Sequence, residues 1–469
     1  MSREKHVEQL IGFVSNLSLK DLPKKTVERA KLAVMDFFGN SLGALGTNHE
    51  LINAILDFAS ESGGVAESTI LGREKQVNCL DAAMVHGVLG NFLDFSDGHF
   101  RGGHVNDRVV PAALAVAERV GATGSEFISA VLAGYEAYVR MGYALFGGAD
   151  PTSVKAPLFV DLGPMASSVA AGKLLSLTNE QTAGAMGLAA SMQVSAAQYT
   201  VSGGHEKDLC PGHESRRAVF SALMAQKGVF GSKDILEGVR GLSQLVGGAL
   251  DLSSLTDGLG KEFKIHECYF KPYPACRYLH SSIDAALSLT KEHEVRAEEI
   301  DGITVTTNSS SARRASYDIL SHVSAIFSHQ YQVAVVLAEG RPDLPVFWRE
   351  KMRGGLVGEL IKRTKVLSSK EFDDLHRKRT LDSGTWPSRV EVMTNTGNRY
   401  ESTVLRPKGD PTNPMTIQEL ESKLRTNALR ILSEDQVNRL QQKLSRLEQM
   451  DDMRKFLQDL AVEITTRKR

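Results

Sequence analysis

Cysteine is scarce. Cys79, Cys210, Cys268 and Cys276 are the only four in 469 residues, too few and too scattered for a disulfide framework. The spacing of Cys268 and Cys276 matches no common zinc or iron–sulfur arrangement. Excess charge of either sign is also missing: a formal net charge of -1 gives no long-range field to draw in nucleic acid or an anionic bilayer. An anionic ligand must therefore be held by local basic residues. No apolar run approaches the roughly 20 residues that span a bilayer. The start, Met1-Ser2-Arg3-Glu4-Lys5-His6, lacks the basic-then-apolar pattern of a signal peptide. The expectation is a soluble, cytoplasmic protein with neither a nucleic-acid nor a membrane partner. Short repeats, low-complexity tracts, Gly/Ser linkers, His-Asp dipeptides and His-Glu-x-x-His helices are absent as well. What remains is 42% hydrophobic and 24% charged residues, enough for a large core and two or three domains.

The first half reads as helix. Pro23 opens a helix carrying Val27, Ala30, Leu32, Val34, Phe37 and Phe38, and Leu80 to Leu89 forms another that delivers the chain to Asp94. Pro111 is expected to begin an Ala-rich helix that runs through Val120 and stops at Gly121, with Gly124-Ser125 starting the next. Thr178 and Gln181 form a capping box ahead of a helix dense in Ala and Gly, whose small side chains allow close helix packing. The pattern changes near Lys261. Ile303 to Thr307 alternates as a strand, and Arg389 to Met393 and Tyr400 to Val404 flank Asn395-Thr396-Gly397-Asn398 as a hairpin. Helical period returns with two more capping boxes, Thr416 with Glu419 and Ser433 with Gln436, followed by Val437, Leu440, Leu444 and Leu447 on one face. These signals predict a mainly α protein: a large helical-bundle domain from both chain ends, 1–262 and 408–469, with a smaller α+β lid domain, 263–407, inserted between. A cleft between the two suits a small ligand.

Four segments carry candidate chemistry. Asp94-Phe-Ser-Asp-Gly-His-Phe-Arg-Gly-Gly-His104 puts carboxylates and imidazoles on a Gly-rich segment, where His104 can move a proton and Asp94 can fix its tautomer or bind a hydroxyl. Lys207 follows Gly203-Gly204 and precedes Arg216 on an emerging helix, so its amine can enter a cleft and bind carboxylate. Lys271-Pro-Tyr-Pro-Ala-Cys-Arg277-Tyr-Leu-His280 carries three potentially cationic groups on a path stiffened by proline, which suits a polycarboxylate. The Tyr331 phenol of Phe327-Ser-His-Gln-Tyr331 can donate to an oxyanion, although Phe327 and Tyr331 at this spacing also pack as helix core.

Asp94, Phe95, Asp97 and His104 followed by Val109-Val-Pro-Ala-Ala-Leu-Ala115, with Lys207…Gly212…Arg216, Lys271-Pro-Tyr-Pro274…Arg277…His280 and Phe327-Ser328…Tyr331, resemble the MmgE/PrpD family. The likeness runs over nearly the whole chain. That family includes 2-methylcitrate dehydratase, cis-aconitate decarboxylase and iminodisuccinate epimerase. The resemblance implies a helical domain with an α+β lid, a homodimer, an active site between the domains, and catalysis with no metal and no organic cofactor. Asp94, His104, Lys207, Lys271, His280 and Tyr331 match family active-site positions. Two departures stand out. Ser96-Asp97-Gly98 replaces the family's Asp-Asp-Thr, and neither Asp150-Pro151-Thr152 nor Pro157 restores the histidine of its His-Pro-Thr segment.

On this reading His104 is the principal proton-transfer residue and Asp94 orients it or the substrate. Lys207 completes the catalytic set with Tyr331, which assists protonation or steadies an enolate-like intermediate. Lys271, Arg277, His280 and Arg216 hold substrate carboxylates. The expected reaction is loss of water from a small hydroxy-di- or tricarboxylate, with decarboxylation of an unsaturated tricarboxylate or dicarboxylate epimerisation as alternatives. A metal-dependent hydrolase using Asp94, Asp97, His99 and His104, and a catalytically silent relative, are the readings from other classes.

Overall fold

A computed structural model describes residues 4–147, 160–192, 196–245, 250–293, 295–353, 355–378 and 386–468. The Asp150 to Pro157 segment, where the missing family histidine was sought, lies outside the described residues. The Ala- and Gly-rich stretches form the helices Cys79–Asn91, Asn106–Val120, Gly124–Phe146, Gly163–Leu174, Asn179–Ser191 and Glu206–Gln226, all packed in one bundle. Their small side chains permit very close crossings. Where Cys79–Asn91 meets Glu206–Gln226, a Cβ on Gly87 would lie 2.8 Å from the Gly212 Cα, and one on Gly212 would lie 2.5 Å from the Met84 carbonyl oxygen. That contact has room for glycine alone, and it sets Lys207 beside the end of the opposing helix.

Both chain ends contribute to this bundle. Leu420, Leu424, Leu440, Leu457 and Ile464 share one apolar core with Phe37, Val85, Val109 and Tyr135. A second core draws on residues between Ala275 and Val392. It lies against a four-stranded sheet in which Ile300–Thr307 pairs in parallel with Thr364–Ser368 and antiparallel with Ser388–Thr394, which pairs in turn with Arg399–Val404. Inward residues alternate with outward ones along Ser388–Thr394, so one face packs on the helices His280–Glu292 and His329–Glu339. The predicted hairpin is present, with Gly397 at φ 85° in its turn.

All three predicted capping boxes form, at Thr178, Thr416 and Ser433. Thr123 with Glu126 makes another. One boundary differs from the sequence reading. The helix expected to begin at Pro111 begins at Asn106 and holds Pro111 inside it. Proline there removes one hydrogen bond, to the Asp107 carbonyl, and a single lost bond near a helix start is tolerated in a helix that the bundle buries. The segment from Gly98 to His104 also differs from a plain loop: Gly98–His99 and Gly103–His104 pair as a two-stranded ribbon, and Gly98 exchanges backbone hydrogen bonds with Tyr269 at the start of the lid region. Among the described residues no helix is long and apolar enough to cross a membrane.

Candidate active site

The helix Cys79–Asn91 ends just before Asp94, whose backbone is held at φ 50°. This left-handed conformation costs a non-glycine residue about 1–3 kcal/mol and persists only where its surroundings fix it. They do so here: the Asp94 amide donates to the Asn91 carbonyl at 2.7 Å, and Lys271 Nζ donates to the Asp94 carbonyl at 2.8 Å. The strained turn aims the carboxylate between two ammonium groups. Lys207 Nζ lies 3.0 Å from Oδ1 and Lys271 Nζ 2.9 Å from Oδ2. Burial alone would raise the Asp94 pKa, but Lys207 and Lys271 outweigh it and hold the carboxyl well below its ordinary range. Two ammonium groups flank this one carboxylate, with Asp208 Oδ1 3.8 Å from Lys207 on its other side, and a substrate carboxylate can share them.

His104 Nε2 stands 3.6 Å from Asp94 Oδ1, beyond hydrogen-bond distance. Its orienting contact is on the other nitrogen, with Ser96 Oγ, 2.7 Å from Nδ1. Ser96 Oγ also donates to Asp107 Oδ2 at 2.8 Å. Asp107 is kept ionised despite burial chiefly by Arg108, with Asn91 and Ser96 donating to it. The single Ser96 proton therefore goes to Asp107, and Nδ1 must donate to Ser96. That fixes the neutral tautomer with a free lone pair on Nε2, on the side of Asp94. Burial and then the Lys271 charge push the His104 pKa down to about 3, although its side chain is 23% exposed. The ring waits as a neutral base. Asp94 and Asp107, on its two sides at 3.6 and 3.5 Å, are placed to steady the imidazolium once it takes a proton.

The remaining expected residues divide. Arg277 donates to the Lys408 carbonyl at 3.0 Å, faces Asp410 at 3.7 Å and stacks over Tyr269 at 4.5 Å. Its guanidinium is engaged in joining protein segments. His280 is fully buried, donates from Nε2 to the Ala275 carbonyl at 3.1 Å, accepts from Arg277 at Nδ1 at 3.2 Å, and is held neutral by burial and then by Arg277. Lys271 and Asp94 are near enough to act on it electrostatically. Arg216 does not join the cluster. Its guanidinium lies 3.2 Å from Asp81, at the opposite end of the helix Cys79–Asn91 from Asp94, and is partly exposed. Tyr331 is buried in the lid core, with no hydrogen-bond partner for its hydroxyl among the described residues. Burial raises its phenol pKa, and the nearest charges acting on it are Asp343, Glu339 and Glu350, not the Asp94 cluster.

Asp97 and His99 turn away from His104. Asp97 accepts from Tyr135 at 2.6 Å and from the Asn106 amide at 2.9 Å, and burial, with Asp36 adding to it, lifts its pKa to about 7. His99 faces Glu267 at 3.7 Å. The four residues required for the metal-hydrolase reading do not converge. Three contributors escaped sequence reading: Ser96, Asp107 and Lys423. Asp107 follows His104 by one helical turn, a spacing that was there to be read. Lys423 Nζ, from the far end of the chain, reaches Asp36, the Phe95 carbonyl and the Lys271 carbonyl.

Residues 8–254 match the MmgE/PrpD N-terminal domain and residues 273–449 the MmgE/PrpD C-terminal domain. The chain belongs to the MmgE/PrpD family. It is 25% identical to the cis-aconitate decarboxylase-like protein oryM of Aspergillus oryzae, covering 96% of each chain. It is 24% identical to the cis-aconitate decarboxylase of Aspergillus terreus, over 96% of this chain and 94% of that one, and 24% identical to that of Mus musculus, over 95% and 91%. These relatives are lyases, and MmgE/PrpD is a family of enzymes.

Proposed function

We propose that this protein is a lyase that forms a carbanion-like intermediate beside a carboxylate of a small di- or tricarboxylic acid, with no cofactor in the reaction. The observation that carries this reading is the neutral His104, with its free Nε2 facing an Asp94 carboxylate shared by Lys207 and Lys271. A base with two ammonium groups next to it favours removal of a proton α to a carboxylate, because the cations stabilise the charge that develops. In the hydro-lyase form His104 takes that proton, the C–O bond to the β-hydroxyl breaks, and an acid group delivers a proton to the departing oxygen. A lysine ammonium of the cluster is placed to supply it. Tyr331 serves this step only if substrate binding brings its phenol to the cleft.

The second reading is decarboxylation, favoured by full-length likeness to cis-aconitate decarboxylases. There the C–C bond to the leaving carboxylate breaks, its electron pair stays on carbon, and a protonated group completes the product. The lid, taken as 263–407, closes the site over either substrate, and a homodimer is the proposed assembly. A panel of C4–C7 hydroxylated and unsaturated polycarboxylates, followed by mass and by NMR in deuterated water, tests these readings. Loss of water supports the hydro-lyase and loss of carbon dioxide the decarboxylase. Deuterium uptake with no mass loss would move the assignment to an epimerase, and no turnover of any acid would sink it.

A further inference from the structure

Behind Lys207, on the side away from His104, three histidines surround one carboxylate. Asp208 Oδ2 lies 3.3 Å from His205 Nδ1 and 2.9 Å from His322 Nε2, and the three donor atoms all fall within 4.8 Å of one another. Asp208 is fully buried, and its other oxygen, Oδ1, has no hydrogen-bond partner and faces the Lys207 ammonium at 3.8 Å. His49 and Phe92 wall the cluster, with ring centroids 5.2 and 4.9 Å from His322. His49 Nδ1 accepts the Leu51 amide proton, so this ring encloses the site without donating to it.

Two imidazoles and a carboxylate from different parts of the fold are a donor set of the zinc class. A tetrahedral ion with donors at about 2.0–2.1 Å needs donor separations of about 3.3–3.4 Å; the His205–Asp208 edge, 3.3 Å, already has this length, and the His322–Asp208 edge, 2.9 Å, must open to reach it. His205 and Asp208 lie at the start of Glu206–Gln226 in the bundle, whereas His322 opens the helix His322–Phe327 from the chain's second half. The neighbouring Ser321 hydroxyl donates to the Gly203 carbonyl at 2.8 Å, so the backbones already meet there. We propose that His205, Asp208 and His322 bind one divalent transition-metal ion, with zinc the best fit, and that this ion fastens the His322–Phe327 helix to the bundle. The fourth position is open to water. The ion acts as a clamp beside the catalytic cluster and takes no part in proton transfer at His104.

The test uses full-length, tag-free protein stripped with chelator and then titrated with zinc against a chromophoric chelator, and with cobalt(II) for its visible spectrum. One equivalent is expected, with the intense absorption of a tetrahedral cobalt site and a zinc-dependent rise in the thermal midpoint. His205→Ala and His322→Ala should each weaken binding by at least about tenfold and abolish the rise. Should His322→Ala not fold, His205→Ala decides alone, since that side chain is 41% exposed. Absence of stoichiometric uptake by the parent protein overturns the proposal, leaving the cluster as hydrogen bonds between imidazole and carboxylate. Uptake of equal affinity in His205→Ala overturns it too, by placing the ion elsewhere. None of these readouts depends on turnover, so the outcome is separate from the fate of the lyase assignment.

Discussion

His104 has a different task on each ring nitrogen. Nδ1 is committed to Ser96 and through it to Asp107, while Nε2 is left for substrate. Replacing the ring by His104→Gln should lower kcat by about 10²–10⁴-fold, the usual contribution of a positioned acid or base. Ser96→Ala should cost less, of order tenfold, because Asp107 still lies 3.5 Å from Nδ1. It should also move the acidic limb of the pH–rate profile, a change that a merely structural serine would not produce. Near-normal turnover in folded His104→Gln enzyme would end the assignment. Two other histidines govern stability. His86 and His329 are fully buried, and burial pushes the pKa of each from 6.5 to about 4. The unfolded chain then binds more protons than the native one between those values. Their stabilising contribution is complete above pH 6.5 and is lost as pH falls toward 4, by up to about 3 kcal/mol each. Urea midpoints measured from pH 7.5 to 4.5 should fall accordingly, and His86→Gln should flatten the slope. At this scale the meeting of Asp94, His104, Lys207 and Lys271 was legible, since the first three lie on or beside glycine-rich segments and Lys271 on a path stiffened by proline. Arg216 and Arg277 instead face Asp81 and Asp410, partners that sequence cannot show.

Helix Glu206–Gln226 places Lys207 through a glycine crossing. Because a Cβ at Gly212 would sit 2.5 Å from the Met84 carbonyl, Gly212→Ala must push two helices apart, although alanine has the better helix propensity. Overpacking of this kind costs about 1–3 kcal/mol, and the separation should lengthen the Lys207 to Asp94 contact. The expected result is a lower thermal midpoint with a loss of kcat/KM, both measurable on one preparation. An alanine variant of full activity would mean that the crossing does not position the lysine. Capping boxes could be read from sequence because they are local: a Ser or Thr and its partner three residues on satisfy each other's amides whatever else the fold does. The strand Thr364–Ser368 was missed for the opposite reason. Only its first residue is buried, so as an edge strand it carries no alternation of apolar and polar residues.

Lys423 ties the molecule together across its length. Its ammonium lies 2.6 Å from Asp36 Oδ1, 2.6 Å from the Phe95 carbonyl and 3.0 Å from the Lys271 carbonyl, with the Phe95 ring 3.7 Å away. One side chain from the helix Ile417–Ala428 thus holds the helix Lys24–Gly46, the Asp94 segment and the backbone at Lys271. Return of helical period after Thr416 made the two-ended bundle legible. This contact was not, since 387 residues separate Lys423 from Asp36. Removing the charge by Lys423→Met keeps the volume but leaves the buried Asp36 carboxylate and two carbonyls without their donor, a loss of about 3–5 kcal/mol for such a pair. Chemical denaturation should show it as a lower midpoint. Adding Asp36→Asn should recover part of the loss, because the stranded anion is then gone and the double variant lacks only the attraction. Turnover should fall as well, since the Lys271 backbone loses its anchor while its side chain still holds Asp94. A single variant costing under about 1 kcal/mol, the range of an exposed pair, would show that the bundle and the Asp94 segment are joined by packing alone.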